Sequence, residues 1–182
     1  MPRTDRRPLI ADAALALAAS GGNHALTHQG IDRALELPKG STSYYFRTRE
    51  ALVAAAVGRV VERSREALAR TIDVGGTPGE VMVGYVAELV ADRRSDVLAR
   101  QALLLDPTLS VAARASLLGC LFSEPSARAL LADRGSTAPV ADARRLLTIL
   151  EGVVVTAVHG ETDVRDDATA LLSAVFPELF ES

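Results

Sequence analysis

The chain has 182 residues, a formal net charge of −3 and 48% apolar residues. This composition argues against a disordered chain, and a folded chain of this length can bury about 70% of its unfolded surface. No run approaches the roughly 18 apolar residues of a membrane span, and residues 1–10 lack the apolar segment of a signal peptide. We therefore expect a cytoplasmic protein with no membrane partner. One cysteine and three scattered histidines show no metal-ligand spacing, so we expect neither a metal nor another cofactor.

The charge is distributed unevenly along the chain. Residues 1–50 contain seven basic and five acidic residues, whereas the other 132 contain thirteen basic and eighteen acidic ones. A basic N-terminal quarter on an acidic remainder is typical of a chain whose N-terminal part meets a polyanion. Ordinary scatter of surface charge is the alternative explanation.

The first predicted helix spans about residues 6–20. Its apolar residues recur at the spacing of one buried helical face, and they are Ile10, Ala13, Ala14, Leu17 and Ala18. Gly21 and Gly22 follow, and they predict its C-terminal end.

Two short helices are predicted next. Thr27 is a candidate N-cap for a second helix that ends near Leu35. Pro38 cannot donate a backbone hydrogen bond, so it predicts a turn before a third helix of about two turns that begins near Lys39.

A longer fourth helix and several more complete the prediction. Thr48 can cap a helix that runs from Arg49 toward Thr71, before the glycines of "DVGGTPG" interrupt it. Beyond that point the alternating pattern of a strand does not occur. Helical segments are predicted at about 78–92, 96–105, 108–122, 124–133, 139–159 and 165–180. The expected fold class is all-α.

The stretch 37–52, "LPKGSTSYYFRTREAL", is unusual for this chain. It contains the only lysine, Lys39, three of the seven aromatic residues, and no acidic residue before Glu50. Two short helices joined by a tight turn and followed at once by a supporting helix form a helix-turn-helix. With Thr42 and Phe46 facing inward, the remaining lysine, serine and tyrosine side chains could contact phosphates and base edges of DNA.

These residues resemble the DNA-binding domain of the TetR (tetracycline repressor) family over about residues 7–57. The resemblance rests on "IADAALALAASGG", "LTHQGIDRAL", "KGSTSYYF" and "RTREAL". It implies a helix-turn-helix domain over 1–47 and a C-terminal domain over 48–182 for ligand binding and dimerisation. It further implies a homodimer on a palindromic operator of double-stranded DNA, and most simply a repressor that a small-molecule inducer releases.

The resemblance also implies which residues contact DNA. They are Thr27, His28, Gln29, Lys39, Gly40, Ser41, Ser43, Tyr44, Tyr45 and Arg49, the last gripping a phosphate with the N-terminus of the fourth helix. The chain departs from the family pattern at Glu36, where a glycine is usual. Because a left-handed conformation is costly for glutamate, we expect this turn to be built differently. A second departure is Ser43, which stands where a tyrosine is usual.

Residues 144–158 are apolar nearly all round, so this helix needs two packing partners. With the last helix, it is a candidate for a four-helix interface across a twofold axis, as the resemblance implies. The predicted interface residues are Leu147, Leu150, Val154, Val158, Leu172, Val175, Phe176 and Leu179. Burial in the core of a single chain is the alternative. Glu151 and His159 interrupt the apolar pattern, either as polar contacts or as surface residues.

An inducer cavity is expected among the middle helices. Scarce aromatic residues and abundant Leu, Val and Ala favour a small apolar or amphipathic ligand. The candidate ligand-binding residues are Tyr85, Glu88, Arg100, Gln101, Cys120 and Phe122.

Two other classes of function compete with this prediction. A helical-bundle enzyme would require paired Glu-x-x-His motifs, a phosphate loop or a nucleophile with its base, and none appears, so we predict that the chain is not an enzyme. A helical module that binds other proteins and has no affinity for DNA remains the second alternative.

Overall fold

The computed structural model of the chain describes residues 5–72, 75–160 and 163–181. In these ranges the chain forms ten α-helices and one 3-10 helix, Pro177–Phe180, and no strand, which confirms the all-α prediction. The α-helices are α1 (Arg7–Ala25), α2 (His28–Ala34), α3 (Ser41–Tyr45), α4 (Arg49–Ile72), α5 (Pro78–Ala91), α6 (Arg94–Leu104), α7 (Val111–Leu118), α8 (Glu124–Asp133), α9 (Pro139–His159) and α10 (Val164–Val175). None of the helices described here is long and apolar enough to cross a membrane.

The helices belong to two compact units. Of the described residues, the first unit contains 5–64 and 95–120, and the second contains the rest. The first unit thus combines the three N-terminal helices and most of α4 with nearly all of α6 and with α7. The domain boundary predicted between residues 47 and 48 stays a prediction.

The core of the first unit is aliphatic. Ile10, Ala14 and Ala18 on α1 are buried, as their spacing predicted, and they share this core with residues of α4 such as Leu52 and Val60. The predicted end of the first helix coincides with a kink in α1 at Gly22, where φ is 65° and ψ is −166°.

The turn after α2 contradicts one sequence expectation. Glu36 has a φ of 51° and adopts the left-handed conformation itself. The Glu36 amide donates to the Arg33 carbonyl and the Leu37 amide donates to the Asp32 carbonyl, at 3.2 and 2.8 Å. These are the two hydrogen bonds of a Schellman motif, which compensate two terminal carbonyl groups of α2. Glutamate therefore occupies the usual glycine position without changing the design of the turn.

The third helix is shorter than predicted. It begins at Ser41, because Gly40 has a left-handed φ of 89° and ends the preceding turn. Lys39 and Gly40 consequently lie before α3 and not on it. The helix then ends at Tyr45, and Phe46 is extended.

The second unit packs α5, α8, α9 and α10 around an apolar core. The start of α5 is fixed by a capping box, in which Thr77 accepts from the Glu80 amide and the Glu80 carboxylate accepts from the Thr77 amide. Buried residues of α9 include Leu146, Val154 and Val158, which lie among buried residues of α5 and α10.

Candidate nucleic-acid interface and ligand cavity

The start of α2 is positioned by its cap. Thr27 is extended, and its Oγ1 accepts a hydrogen bond of 2.9 Å from the Gly30 amide. The Thr27 and Gln29 side chains are exposed beside this cap. Both predicted contacts are therefore open to solvent at the N-terminus of α2.

A single buried carboxylate positions α3. The Asp32 residue is only 4% exposed. Its Oδ2 accepts from the Gly40 amide at 2.8 Å, and its Oδ1 accepts from the Thr42 amide at 2.8 Å and from Thr42 Oγ1 at 2.7 Å. Burial alone would raise the pKa of Asp32, but the hydrogen bonds from Thr42 and Gly40 outweigh it and lower the pKa below its usual range. The sequence does not single out Asp32, because the residues that it contacts lie eight and ten positions away.

The side chains of α3 divide into an inner and an outer set. Thr42 is fully buried, and Phe46, just after the helix, packs half-buried on the core of the unit. Ser43 is exposed, and Tyr44 is 68% exposed. Lys39 and Gly40, in the turn before the helix, are exposed as well, whereas Ser41 is half-buried and its Oγ donates to the Pro38 carbonyl at 2.6 Å.

Tyr45 differs from its neighbour Tyr44. Its ring is half-buried and packs against the core of the unit. The two rings meet edge to face at 5.2 Å, and the Arg7 guanidinium lies 5.8 Å from the centre of the Tyr45 ring. The Tyr45 ring therefore supports α3, while Tyr44 extends outward.

His28 lies half-buried at the start of α2. Its Nε2 lies 2.7 Å from the carbonyl oxygen of Phe46, and since a carbonyl can only accept, Nε2 donates. This bond ties the first residue of α2 to the residue that follows α3. His28 thus holds the two helices together, and a DNA contact through its other ring atoms stays a prediction.

Arg49 is engaged inside its own unit. Its Nη2 lies 2.7 Å from Oδ2 of Asp106, whose side chain is completely buried, and its Nη1 donates to Thr108 Oγ1 at 3.1 Å. Burial alone would raise the pKa of Asp106, but the hydrogen bonds from Arg49 and Thr108 lower it. A buried carboxylate left without its cation is costly, so the predicted phosphate contact of Arg49 competes with this ion pair.

The second unit contains an apolar cavity of about 450 Å³. Tyr85 and Phe122, two of the predicted ligand-binding residues, line it with their rings in edge-to-face contact at 5.9 Å. Sequence reasoning missed several of its other apolar residues, which lie on α4, α5, α8 and α9. They are Leu68, Val81, Leu130 and Leu146.

The other four predicted ligand-binding residues do not line this cavity. Glu88 lines a separate, more polar cleft in the same unit, where it accepts from Thr71 and pairs with Arg70. Arg100, Gln101 and Cys120 belong to the first unit, where the Arg100 Nε donates to the Leu117 carbonyl at 2.7 Å. A role of these four residues in ligand binding stays a prediction and has no support from this cavity.

Most of the predicted interface residues are buried within the single chain. Six of them are 0–3% exposed, which favours the alternative of burial in the chain's own core. These six are Leu150, Val154, Val158, Leu172, Phe176 and Leu179. Leu147 and Leu150 line the apolar cavity instead. Of the predicted set only Val175 is exposed, at 47%, with Val155 and Leu171 at 44% and 49%. His159 is exposed and Glu151 half-buried.

Known proteins are similar to this chain in sequence and in fold. No protein-family model matches the chain. It is 32% identical over 85 residues to the HTH-type transcriptional repressor KstR of Mycolicibacterium smegmatis, and the matched part is 47% of this chain and 42% of that repressor. The structure of a TetR family member from Streptomyces coelicolor A3 is similar at a TM-score of 0.72 and 25% identity, over 94% of this chain and 98% of that one.

A further solved structure is the multidrug binding protein EbrR in its complex with ethidium. It has a TM-score of 0.66 and 25% identity, with 94% of this chain and 98% of that chain covered. The likeness to these structures extends over both compact units, and it agrees with the helix-turn-helix geometry of α2 and α3. The chain thus resembles a solved TetR family regulator in fold along most of its length.

Proposed function

We propose that the chain is a DNA-binding transcriptional regulator that inserts α3 into the major groove of an operator. The observation that carries the proposal is the outward placement of Lys39, Ser43 and Tyr44 around a short helix whose inner side is fixed by Asp32. Residues 37–49 contain no carboxylate that would repel phosphates. Lysine and tyrosine can bond phosphate oxygens, and serine can bond either phosphates or base edges.

The regulator acts as a homodimer in this proposal. Val155 on α9 and Leu171 and Val175 on α10 are large apolar side chains that are nearly half exposed in the single chain. A second copy related by a twofold axis would cover the same patch on both subunits, which makes the contact self-complementary. A twofold dimer reads two inverted half-sites, so the operator is a palindrome.

Release by a ligand is the third part of the proposal. The apolar cavity has the size of small-molecule sites, which occupy roughly 300–1,000 Å³, and its walls suit an apolar or amphipathic molecule. Two recognition helices must lie about 34–36 Å apart to enter successive major grooves on one face of the duplex. A ligand that favours a different spacing would weaken binding, and this is the behaviour of a repressor that an inducer releases.

A band-shift experiment with Lys39→Ala and Tyr44→Ala tests the DNA-binding surface. Both side chains are exposed, so the variants should keep the helical content of the parent. Each should weaken binding to an operator duplex by roughly 10-fold, the effect of about 1.4 kcal/mol. Arg128→Ala is the matched control, because Arg128 is exposed on α8 of the second unit.

Two results would count against the proposal. If both variants bind the operator duplex as tightly as the parent, Lys39 and Tyr44 do not belong to the DNA-binding surface. A parent chain that ignores every duplex at low ionic strength would favour the protein-interaction module, because binding to phosphates falls steeply with salt and is strongest when salt is low.

A further inference from the structure

The end of α2 and the turn into α3 enclose a small cleft on the first unit. Its volume is about 270 Å³, and its lining residues are Gln29, Asp32, Arg33, Leu37 and Lys39. This is below the roughly 300–1,000 Å³ of sites for drug-sized ligands, so the cleft suits one compact group and not a whole small molecule. The cleft adjoins the exposed residues around α3, because Lys39 lines it. Arg33, which lines it as well, was not among the predicted DNA contacts.

Two cations line the cleft, and neither forms an ion pair within the described part of the chain. Arg33 is exposed, and the one hydrogen bond of its side chain within the described residues is a long contact of 3.4 Å from Nε to the Gln29 carbonyl. That bond leaves both terminal nitrogens of the guanidinium available. Lys39 is exposed in the turn six residues further on.

The one acidic residue of the cleft does not neutralise these cations by contact. Asp32 is a buried part of its lining, and both carboxylate oxygens already accept from Gly40 and Thr42. Its charge is therefore engaged by donors at the start of α3. The lining also contains a guanidinium fork and an ammonium group, the two side chains that proteins use for phosphate.

We propose that Arg33 and Lys39 hold one backbone phosphate of the DNA duplex in this cleft, at the edge of the groove that α3 enters. The inference rests on the proposed function. Gln29 and Arg33 are four residues apart on one face of α2, and Gln29 is already a predicted DNA contact. Arg49, the cation first expected to grip a phosphate, is paired with Asp106, whereas Arg33 and Lys39 have no such partner in the described part of the chain.

A phosphate held here fixes the register of α3 without reading sequence. Contacts to phosphate position a protein on the duplex, whereas contacts to base edges specify it. Arg33 should therefore strengthen binding to every duplex by a similar factor, whereas a residue that contacts base edges should act mainly on the operator. This difference separates a positioning residue from a specificity-determining one.

The experiment measures dissociation constants of the parent, Arg33→Ala, Arg33→Lys and Arg128→Ala by fluorescence anisotropy. Each protein is titrated against an operator duplex and an unrelated duplex over a range of NaCl concentrations. Arg33→Ala should weaken binding to both duplexes by a similar factor of roughly 5- to 30-fold. It should also make the slope of log K against log[salt] shallower by about 0.9, the value for one lost phosphate contact. Arg33→Lys should restore the slope, and Arg128→Ala should match the parent.

Several outcomes would overturn the inference. If the parent binds duplexes and Arg33→Ala has the same slope and affinity, the cleft holds no DNA phosphate, although the proposed function stands. A loss confined to the operator would make Arg33 a base contact. Inorganic phosphate could instead raise the melting temperature of the parent but not of Arg33→Ala, while the slope of log K against log[salt] is the same for both. That result would show that the cleft binds a free anion and not a DNA phosphate. Failure of the parent to bind any duplex would refute the proposed function itself.

Discussion

Replacing Asp32 with asparagine tests how α3 is held in place. The substitution keeps the size of the side chain, but it removes the charge from a carboxylate that accepts three hydrogen bonds of 2.7–2.8 Å. One amide oxygen can still accept from Thr42. The amide nitrogen then faces the Gly40 amide, so a donor meets a donor where an acceptor stood.

The magnitude follows from these bonds. A hydrogen bond to a charged group contributes about 1.5–3 kcal/mol, so losing the bond from Gly40 and weakening the two from Thr42 should lower the free energy of unfolding by about 2–4 kcal/mol. Urea unfolding followed by circular dichroism at pH 7 measures this quantity. Glu36→Gln is the matched control, because it removes one negative charge from the same turn at an exposed position, and it should change stability by less than about 0.5 kcal/mol.

A double-mutant cycle that combines Asp32→Asn with Thr42→Val tests how much of the lost stability comes from the contact between these two side chains. Since Asp32 and Thr42 are direct partners, the two substitutions together should cost about 1 kcal/mol less than the sum of the single effects. An Asp32→Asn variant as stable as the Glu36→Gln control would refute the reasoning. Additive effects in the cycle would refute the assignment of the loss to Thr42.

Three further predictions concern stability. The lowered pKa of Asp32 and Asp106 means that each carboxylate stabilises the fold above its unfolded pKa of about 3.9 and that this contribution is lost as the pH falls toward the lower folded pKa. The stability difference between the parent and Asp32→Asn, measured by urea unfolding, should therefore shrink between about pH 5 and pH 3, and a constant difference would contradict the assignment. Gly79→Ala should destabilise the protein by about 1–3 kcal/mol in thermal melts, because its Cβ would lie 2.6 Å from the Phe180 ring. Gly84→Ala, in the same helix with no atom within 4 Å of the new Cβ, should instead stabilise it by up to about 1 kcal/mol, and equal effects would argue against this packing. Glu36→Gly should stabilise by about 1 kcal/mol by relieving a left-handed glutamate, whereas Gly40→Ala, at a φ of 89°, should destabilise by about 1–2 kcal/mol; a destabilised Glu36→Gly would show that the turn is not strained.

The helices were predictable because their signals are local. Apolar spacing, the caps at Thr27 and Thr48 and the glycines after residue 73 lie within a few positions of the structure that they determine. The bounds of α8 and α9 agree with the prediction to the residue. The start of α3 was not predictable in this way, because the left-handed Gly40 places Lys39 outside the helix.

Contacts between distant residues could not be predicted. Arg49 and Asp106 are 57 positions apart, and nothing near either residue indicates the other. Apolar periodicity also does not say which core a residue enters. Leu150 and Val154 are apolar for the core of their own unit, although the same pattern would serve a dimer interface.

The lining of the cavity could be predicted only in part, because contacts between distant residues also determine it. Arg100 and Cys120 lie among the middle helices in sequence, but in the fold they belong to the first unit. Tyr85, predicted as a polar anchor of an aliphatic pocket, lines this cavity together with Phe122.

Selection of bound sequences from a pool of random duplexes tests the central claim most directly. If two copies of α3 enter successive major grooves of one duplex, the recovered sequences should contain two inverted copies of one half-site, with centres about 10–10.5 base pairs apart or a multiple of that spacing. Recovery of no common sequence, or of a single site without an inverted repeat, would contradict a dimeric reader of DNA.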